Sequence, residues 1–269
     1  MRRMTAGIVG LAATGLMCAA AFAADVTVRD LTLRLHHADR ARPLQLSGLD
    51  LRELDLSGLD FKGASLTNSN LFGADLTRAD LSKADLRGAR LDRVVIIGAR
   101  FDGADLSGTS FLRPSSFSTL TAPAAEAPSF AGTNLSRAVI FGRFNRSNFR
   151  AADLSGAMLA PFNRSGFIEH IWRTELASAD LANANLSGAD LGYVLLRFAN
   201  LRGANLRGAK LRKADLSRAD LTGADLTGVD LAEADLDGAI LTGAKGLSTA
   251  LGLDTARNVD KAIRLSPTH

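Results

Sequence analysis

Cysteine is nearly absent from this 269-residue chain: the single one is Cys18. It lies in an apolar run over residues 8–21 that follows Arg2 and Arg3 and ends in Ala21-Phe22-Ala23, the pattern of an export leader over residues 1–23 cleaved before Ala24. Loss of that leader would leave a chain unable to form a disulfide even in an oxidising compartment. The run is short for a membrane span, with an uncleaved anchor as the alternative. Met17 before Cys18 does not suit a lipoprotein cleavage site, where a small residue is needed. Aromatics are scarce as well, at 6% with one tryptophan and one tyrosine, so the core must be built from aliphatic side chains. Net charge is also small. Losing Arg2 and Arg3 takes Lys plus Arg from 32 to 30 against 28 acids, too weak a basicity to call for a polyanionic partner.

Catalytic equipment is equally sparse. No phosphate-cradling glycine loop and no nucleophile elbow occurs in the sequence. The four histidines, His36, His37, His170 and His269, are not spaced with cysteines or one another as a zinc site. His170, next to Glu169 and near Glu175, is the one position where a general base could sit. The sequence calls for no cofactor and no metal, and an enzyme is not the expected reading.

What the chain has instead is a period. From residue 176 to 241 every fifth residue is leucine, fourteen in all, and two positions before each sits a small residue, alanine in eleven cases and otherwise Thr174, Val194 or Val229. A helix would place apolar residues at i, i+3, i+4 and i+7, and a half-buried strand at every second position. A strict period of five over about seventy residues is a repeat array. A second block runs in one phase from Leu46 through Phe61, Leu91, Ile96 and Phe101 to Phe111, and opens with Leu44, Leu49, Leu54 and Leu59 at the position that later becomes alanine. The fuller first repeats suit a terminus that must close its own core.

The repeating unit reads Ala-Asp-Leu-Thr-Gly at residues 224–228 and Ala-Asn-Leu-Ser-Gly at 184–188. In this it resembles the pentapeptide-repeat family over roughly residues 44–245. The resemblance implies an all-β fold, a right-handed quadrilateral parallel β-helix with four pentapeptides to a coil and with the leucine and the small residue facing inward. The four residues from each leucine to the next small residue fit a β-turn. Glycine at its third position, as in Gly188 and Gly228, suits a type II turn, and polar residues there suit open or type I-like turns.

Outside the repeats, residues 24–45 alternate apolar and polar at Val26, Val28, Leu31, Leu33 and Leu35, which predicts an N-terminal cap strand followed by a charged turn at His36 and His37. The β-helix is expected over 46–245 with interruptions at about 112–129 and 160–170. The first of these is proline-rich, with Pro114, Pro123 and Pro128. The phase slips by one residue between Ile140 and Phe144. Residues 246–269 read as a C-terminal helical cap of one or two short helices, with Asp254 or Thr255 as N-cap.

If four repeats make a coil, residues twenty apart stack. Asp190, Lys210 and Asp230 then form one column, and Arg173, Tyr193, Lys213 and Glu233 another with a cation–π contact at Tyr193. Arg197, Arg202, Arg207 and Arg212 fall on four faces, a belt rather than a nucleic-acid stripe, with an acidic belt from Asp215 to Asp235 beyond them. Some cytoplasmic members of the resembling family are dimeric rods whose acidic surfaces mimic DNA and bind type II topoisomerases. This chain departs from them in its leader, its near-neutral charge and its interleaved arginines.

The most individual stretch is residues 141–173, where Phe141, Phe162, Phe167 and Trp172 mix with Arg143, Arg146, Arg150, Arg164 and Arg173. Aromatics among arginines can stack bases or grip anionic glycans. The competing reading makes Phe144 and Phe149 core centres, with their neighbours repacked around a phase break. The candidate binding residues are Phe141, Arg143, Arg146, Arg164, Trp172, Arg173 and Tyr193. The expectation is a non-catalytic scaffold or binding protein exported to a bacterial periplasm or beyond, with a protein or an anionic surface as partner rather than a nucleic acid, and with no membrane span once the leader is removed. The period itself sets no oligomeric state.

Overall fold

In the computed structural model, residues 25–117, 124–161 and 173–263 are described. The backbone winds into a parallel β-helix. Parallel bridges join residues twenty apart through coil after coil, as in Asp50 to Asn70 to Arg90 and in Leu195 to Asp215 to Asp235, so four pentapeptides complete one circuit. Crossovers between parallel strands run right-handed, and the coil takes that hand.

Three backbone bonds recur from one pentapeptide to the next, beside the one made by the turn. The leucine N–H donates to the coil ahead (Leu71 N to Arg90 O, 2.9 Å), the residue before it donates to the coil behind (Asn70 N to Leu49 O, 2.9 Å), and the small residue closes a turn onto the leucine carbonyl (Ala74 N to Leu71 O, 3.0 Å). The polar backbone of a five-residue side is thus largely satisfied along the axis, which leaves the interior to side chains. The repeat leucines are 0–1% exposed apart from Leu241 at the far end, and the alanines beside them are equally closed off. Alanine is needed because it faces inward at each corner beside the leucine, where a larger side chain would overfill the coil.

The turns are more uniform than the sequence suggests. The third turn position is left-handed not only where it is glycine, as in Gly188 (φ 64°), but also at Arg93 (φ 59°), Ser178 (φ 56°), Tyr193 (φ 64°) and Lys213 (φ 57°). The expected open or type I-like turns at polar residues are therefore replaced by the glycine conformation. The cause is the ladder. That residue's N–H bonds the next coil, as in Arg93 N to Leu112 O at 2.8 Å and Tyr193 N to Arg212 O at 2.9 Å, so every stacked turn must share one geometry.

The N-terminal cap is a helix rather than the expected strand. Helix α1 spans Val28–His37, with Thr27 as N-cap accepting from Asp30 N at 3.1 Å. Leu31 and Leu35, one turn apart, are buried, and Leu33 is exposed. The partly buried Leu44, Leu49, Leu54 and Leu59 of the first coil pack against the same core. Lys62 Nζ donates to the carbonyls of His36 and Ala38, at 3.3 and 3.0 Å, and so caps the helix C-terminus with a cation. His36 and His37 thus end a helix instead of lying in a turn.

At the other end the expected C-terminal helices are single 3-10 turns, Leu247–Thr249 and Val259–Lys261. The ladder continues through them. Leu251 pairs with Asp230, Arg257 with Asp235 and Ile263 with Ile240, so each side of this last coil holds six residues. The residue opening each six is left-handed: Gly246 (φ 74°), Gly252 (φ 66°) and Asn258 (φ 55°). A Cβ at Gly246 or Gly252 would come within 2.5–2.6 Å of Thr227 or Ala232 backbone, which accounts for glycine at both.

Two long gaps break the five-residue spacing of the rungs. Ser115 is bridged to Val95, and the next rung, on Arg100, is Ser129. Before that rung a 3-10 turn, Ala124–Glu126, restores the coil through Gly98 N to Glu126 O at 2.6 Å. Strand β1 (Ser110–Leu112) pairs in parallel with β2 (Val139–Phe141). The one-residue slip follows at once, because the next rung after Val139 is Arg143, which pairs with Glu175. Gly142 sits at this short side, where a Cβ would lie 2.8 Å from Pro114 Cδ. The second gap falls between Met158, paired with Asp190, and the Glu175 rung. Across the breaks the core is phenylalanine: Phe101, Phe130 and Phe149 stack at 5.0 and 4.7 Å, with Phe111 and Phe144 edge-on.

Candidate functional site

On the regular rod several charged residues pair with one another. Arg197, Arg202 and Arg207 each reach the aspartate eighteen residues on (Asp215, Asp220 and Asp225), and Arg212 reaches Glu233 at 2.8 Å. The basic and acidic belts are one set of rungs. The aspartates also hold the turns: the Asp75, Asp220 and Asp225 carboxylates accept from the backbone N–H two residues on at 2.8, 2.9 and 3.0 Å. Partial burial pushes the Asp215 carboxyl up, but hydrogen bonds from Ser217 and Arg197 outweigh it and hold the group below the usual carboxylate range. Asp220 behaves alike, with Thr222 and Arg202 outweighing burial. Asp225 is lowered mainly by the Thr227 hydroxyl. The stacked columns form as expected: Asp190, Lys210 and Asp230 are successive rungs, and Lys213 Nζ lies 5.3 Å from the Tyr193 ring centroid and 3.6 Å from Glu233.

The described candidate binding residues lie in several different settings. Arg164 and Trp172, with Phe162, Phe167 and His170, lie outside the described residues. Phe144 and Phe149 are core centres, 1% exposed. Arg143 pairs with Glu175 at 3.2 Å, and its carbonyl accepts from Ser116 Oγ at 2.6 Å. Arg146 occupies a left-handed third turn position (φ 61°) with its N–H on Ala177 O. Arg173 buries its Nε. Tyr193 is 8% exposed and belongs to the regular rod.

Phe141 is placed differently. It lies at the end of β2, beside Leu112, and lines a cleft of about 370 Å³ with Phe72, Arg90, Asp92, Arg93, Leu112 and Arg113. The elements behind the cleft are stacked turns. Gly73, Arg93 and Arg113 donate backbone N–H groups to the carbonyls of Asp92, Leu112 and Phe141. Phe72, Asp92, Leu112 and Phe141 are therefore one column running over four coils, with Arg93 and Arg113 in the column beside it. Arg90 lies 4.7 Å and Arg93 5.5 Å from the Phe72 ring centroid. The Asp92 carboxylate is fully engaged, by Arg90 Nε at 2.8 Å, Ser110 Oγ at 2.5 Å and Leu112 N at 3.0 Å. Chemically the cleft offers an apolar floor rimmed by guanidinium groups, a setting for binding. Among the described residues no group of three histidine, cysteine, aspartate or glutamate side chains is placed to hold a metal.

Six of the seven cleft residues escaped the sequence reading, but a signal for them exists. The residue after each core centre is nearly always small or polar. Phe72, Ile97, Leu112 and Phe141 are the large apolar exceptions among the described residues, and three of those four share this column.

The pentapeptide-repeat family model matches eight copies, over residues 45–82, 74–111, 179–218 and 214–245. No curated protein matches the chain. Several solved structures do. HetL, a pentapeptide repeat protein of Nostoc sp. strain PCC 7120 involved in heterocyst differentiation regulation, is 27% identical, with 90% of this chain and 98% of HetL covered and a TM-score of 0.47. The plasmid-mediated fluoroquinolone resistance protein QnrB1 is 18% identical, with 82% and 92% covered and a TM-score of 0.41. The Nostoc pentapeptide repeat protein alr5209 is 35% identical, with 42% of this chain and 84% of alr5209 covered and a TM-score of 0.26. With the period, the coil of four repeats and these matches together, the chain belongs to the pentapeptide repeat family.

Proposed function

We propose that the protein is an exported, non-catalytic binding scaffold: a rod of square cross-section that holds a recognition surface where its repeats are broken. The observation that carries this reading is the contrast between the two parts of the surface. Along the regular coils Arg197, Arg202 and Arg207 each hold an aspartate of the next coil, with Arg218 over the exposed Phe198 as an exception. Around the breaks, arginines border apolar side chains instead. The leader over residues 1–23 supports export to a periplasm or the exterior. The partner expected is a protein or an anionic surface. DNA mimicry is the weaker reading, because the acidic belt is already neutralised by the arginines beside it.

Subcellular fractionation with N-terminal sequencing tests the export half. A periplasmic or secreted chain starting at Ala24 is the expected result, and a full-length cytoplasmic chain would overturn it. For the binding half, immobilised mature protein should capture a partner from envelope or culture fractions, and capture should fall when Arg143 and Arg146 are both changed to Glu. Capture indifferent to every surface change around residues 72–146 would sink the reading.

A further inference from the structure

The cleft between Phe72 and Phe141 has a shape and a charge that narrow what can occupy it. The position after the core centre faces the turn surface, where serine, threonine or a charged residue is the rule; Phe72 and Leu112 are half-buried there and Phe141 is buried. Here Phe72, Leu112 and Phe141 are set along a single column, at the first, third and fourth of four successive coils. Coils spaced by about 4.8 Å make this a groove of roughly 14 Å along the rod. An extended peptide of four or five residues at about 3.3 Å each has that length.

The rim is unbalanced in charge. Arg90 and Arg93 stand over Phe72 with a single acid in the lining, Asp92, whose oxygens are already taken by Arg90, Ser110 and the Leu112 N–H. Arg93 makes no ion pair among the described residues and rests against the Phe72 ring, whereas the arginines of the belt each hold a carboxylate. A guanidinium lying along an aromatic face keeps its outer N–H groups available for a planar, bidentate carboxylate.

We propose that this groove is a docking site for an acidic peptide segment of a partner protein, one that carries an aliphatic or aromatic side chain within a few residues of an aspartate or glutamate. The apolar side chain packs against the Phe72 ring and Leu112 on either side of the engaged Asp92, and the carboxylate pairs with Arg93. This inference rests on the reading of the chain as a binding scaffold and adds the chemistry of the partner.

The test is selection of a phage-displayed random dodecapeptide library on the mature protein, followed by fluorescence anisotropy with the selected peptides. Enrichment of sequences with an acid near Phe, Leu, Ile or Met is expected, with binding that weakens as salt rises. Phe72→Ser and Arg93→Gly should each weaken that binding about tenfold or more. Both place a residue already common at those turn positions, so thermal unfolding should confirm intact folds. Arg207→Ser, on the belt, should leave binding unchanged. Selection of basic or purely apolar peptides, or binding that survives both groove variants, would overturn the proposal. So would benzoate competing as strongly as the free peptide, which would mark a small-molecule site. If capture of a partner persists in the Phe72→Ser/Arg93→Gly double variant but is lost on Arg143→Glu with Arg146→Glu, the groove proposal fails and the scaffold reading stands.

Discussion

Ser178 shows what the stack demands of one residue. Its φ of 56° is imposed by the bond from its N–H to Arg197 O at 2.8 Å, and a Cβ in that region is strained by roughly 1 kcal/mol. Among the described residues no hydrogen bond of its hydroxyl offsets that strain. Ser178→Gly should therefore raise the midpoint of thermal unfolding by a few degrees, a shift that scanning calorimetry would resolve. An unchanged or lower midpoint would mean that the strain is relieved elsewhere in the turn. The sequence showed the glycines but not this constraint, because serine, arginine and tyrosine at one position look like tolerance. Only the inter-coil bond reveals that all of them are held in the same conformation.

Among the elements, the two ends were the least legible. Val26, Val28, Leu31, Leu33 and Leu35 satisfy an alternating pattern, and Leu31 with Leu35 also satisfies a helical one. Packing onto the first coil decides for the helix and leaves Leu33 outside. At the C-terminus a period of six over three sides sets Leu247 four residues before Leu251 and Val259 four before Ile263, spacings that imitate a helix face, while the glycines opening the first two sides mark turns. The cleft was hidden for a related reason: its residues are separated by a long gap between rungs, so that Leu112 and Phe141 are neighbours although 29 apart in the chain. Helix α1 closes the core at one end. Leu31→Asp buries an uncompensated carboxylate against the first coil and should release the helix. Loss of helical circular dichroism with faster proteolysis near residues 25–45, the later coils remaining protected, is the expected outcome. Uniform protection would show that the helix is dispensable to the fold.

Across the whole molecule, the five-residue period made the core and the coil legible at once, since leucine and alanine recur wherever the chain turns inward. Stability is correspondingly shared between neighbouring coils. Leu206 is 0% exposed in the middle of the 176–241 block, and Leu206→Asp should unfold that block cooperatively. An unchanged melting temperature would contradict the inward register. Acid should act in a graded way through the aspartate rungs. The Asp215, Asp220 and Asp225 carboxyls titrate below their ordinary range in the folded chain, so the unfolded chain binds protons first. Their contribution is complete above about pH 4 and is lost as pH falls through the folded pKa values. Melting temperatures should hold between pH 7 and 5 and drop below 4. Asp215→Asn with Asp220→Asn should blunt the drop, because asparagine keeps the turn bond, as Asn200 does with the Arg202 N–H at 3.3 Å. The parallel bridges also give the rod a mechanical character. Every inter-coil hydrogen bond points along the axis, so a pull on the two ends opens one coil before it loads the next. Each coil would release twenty residues, roughly 60–70 Å of chain. The protein would yield to tension like a spring unwinding loop by loop, stepwise and at low force, while resisting sideways shear across all four faces together.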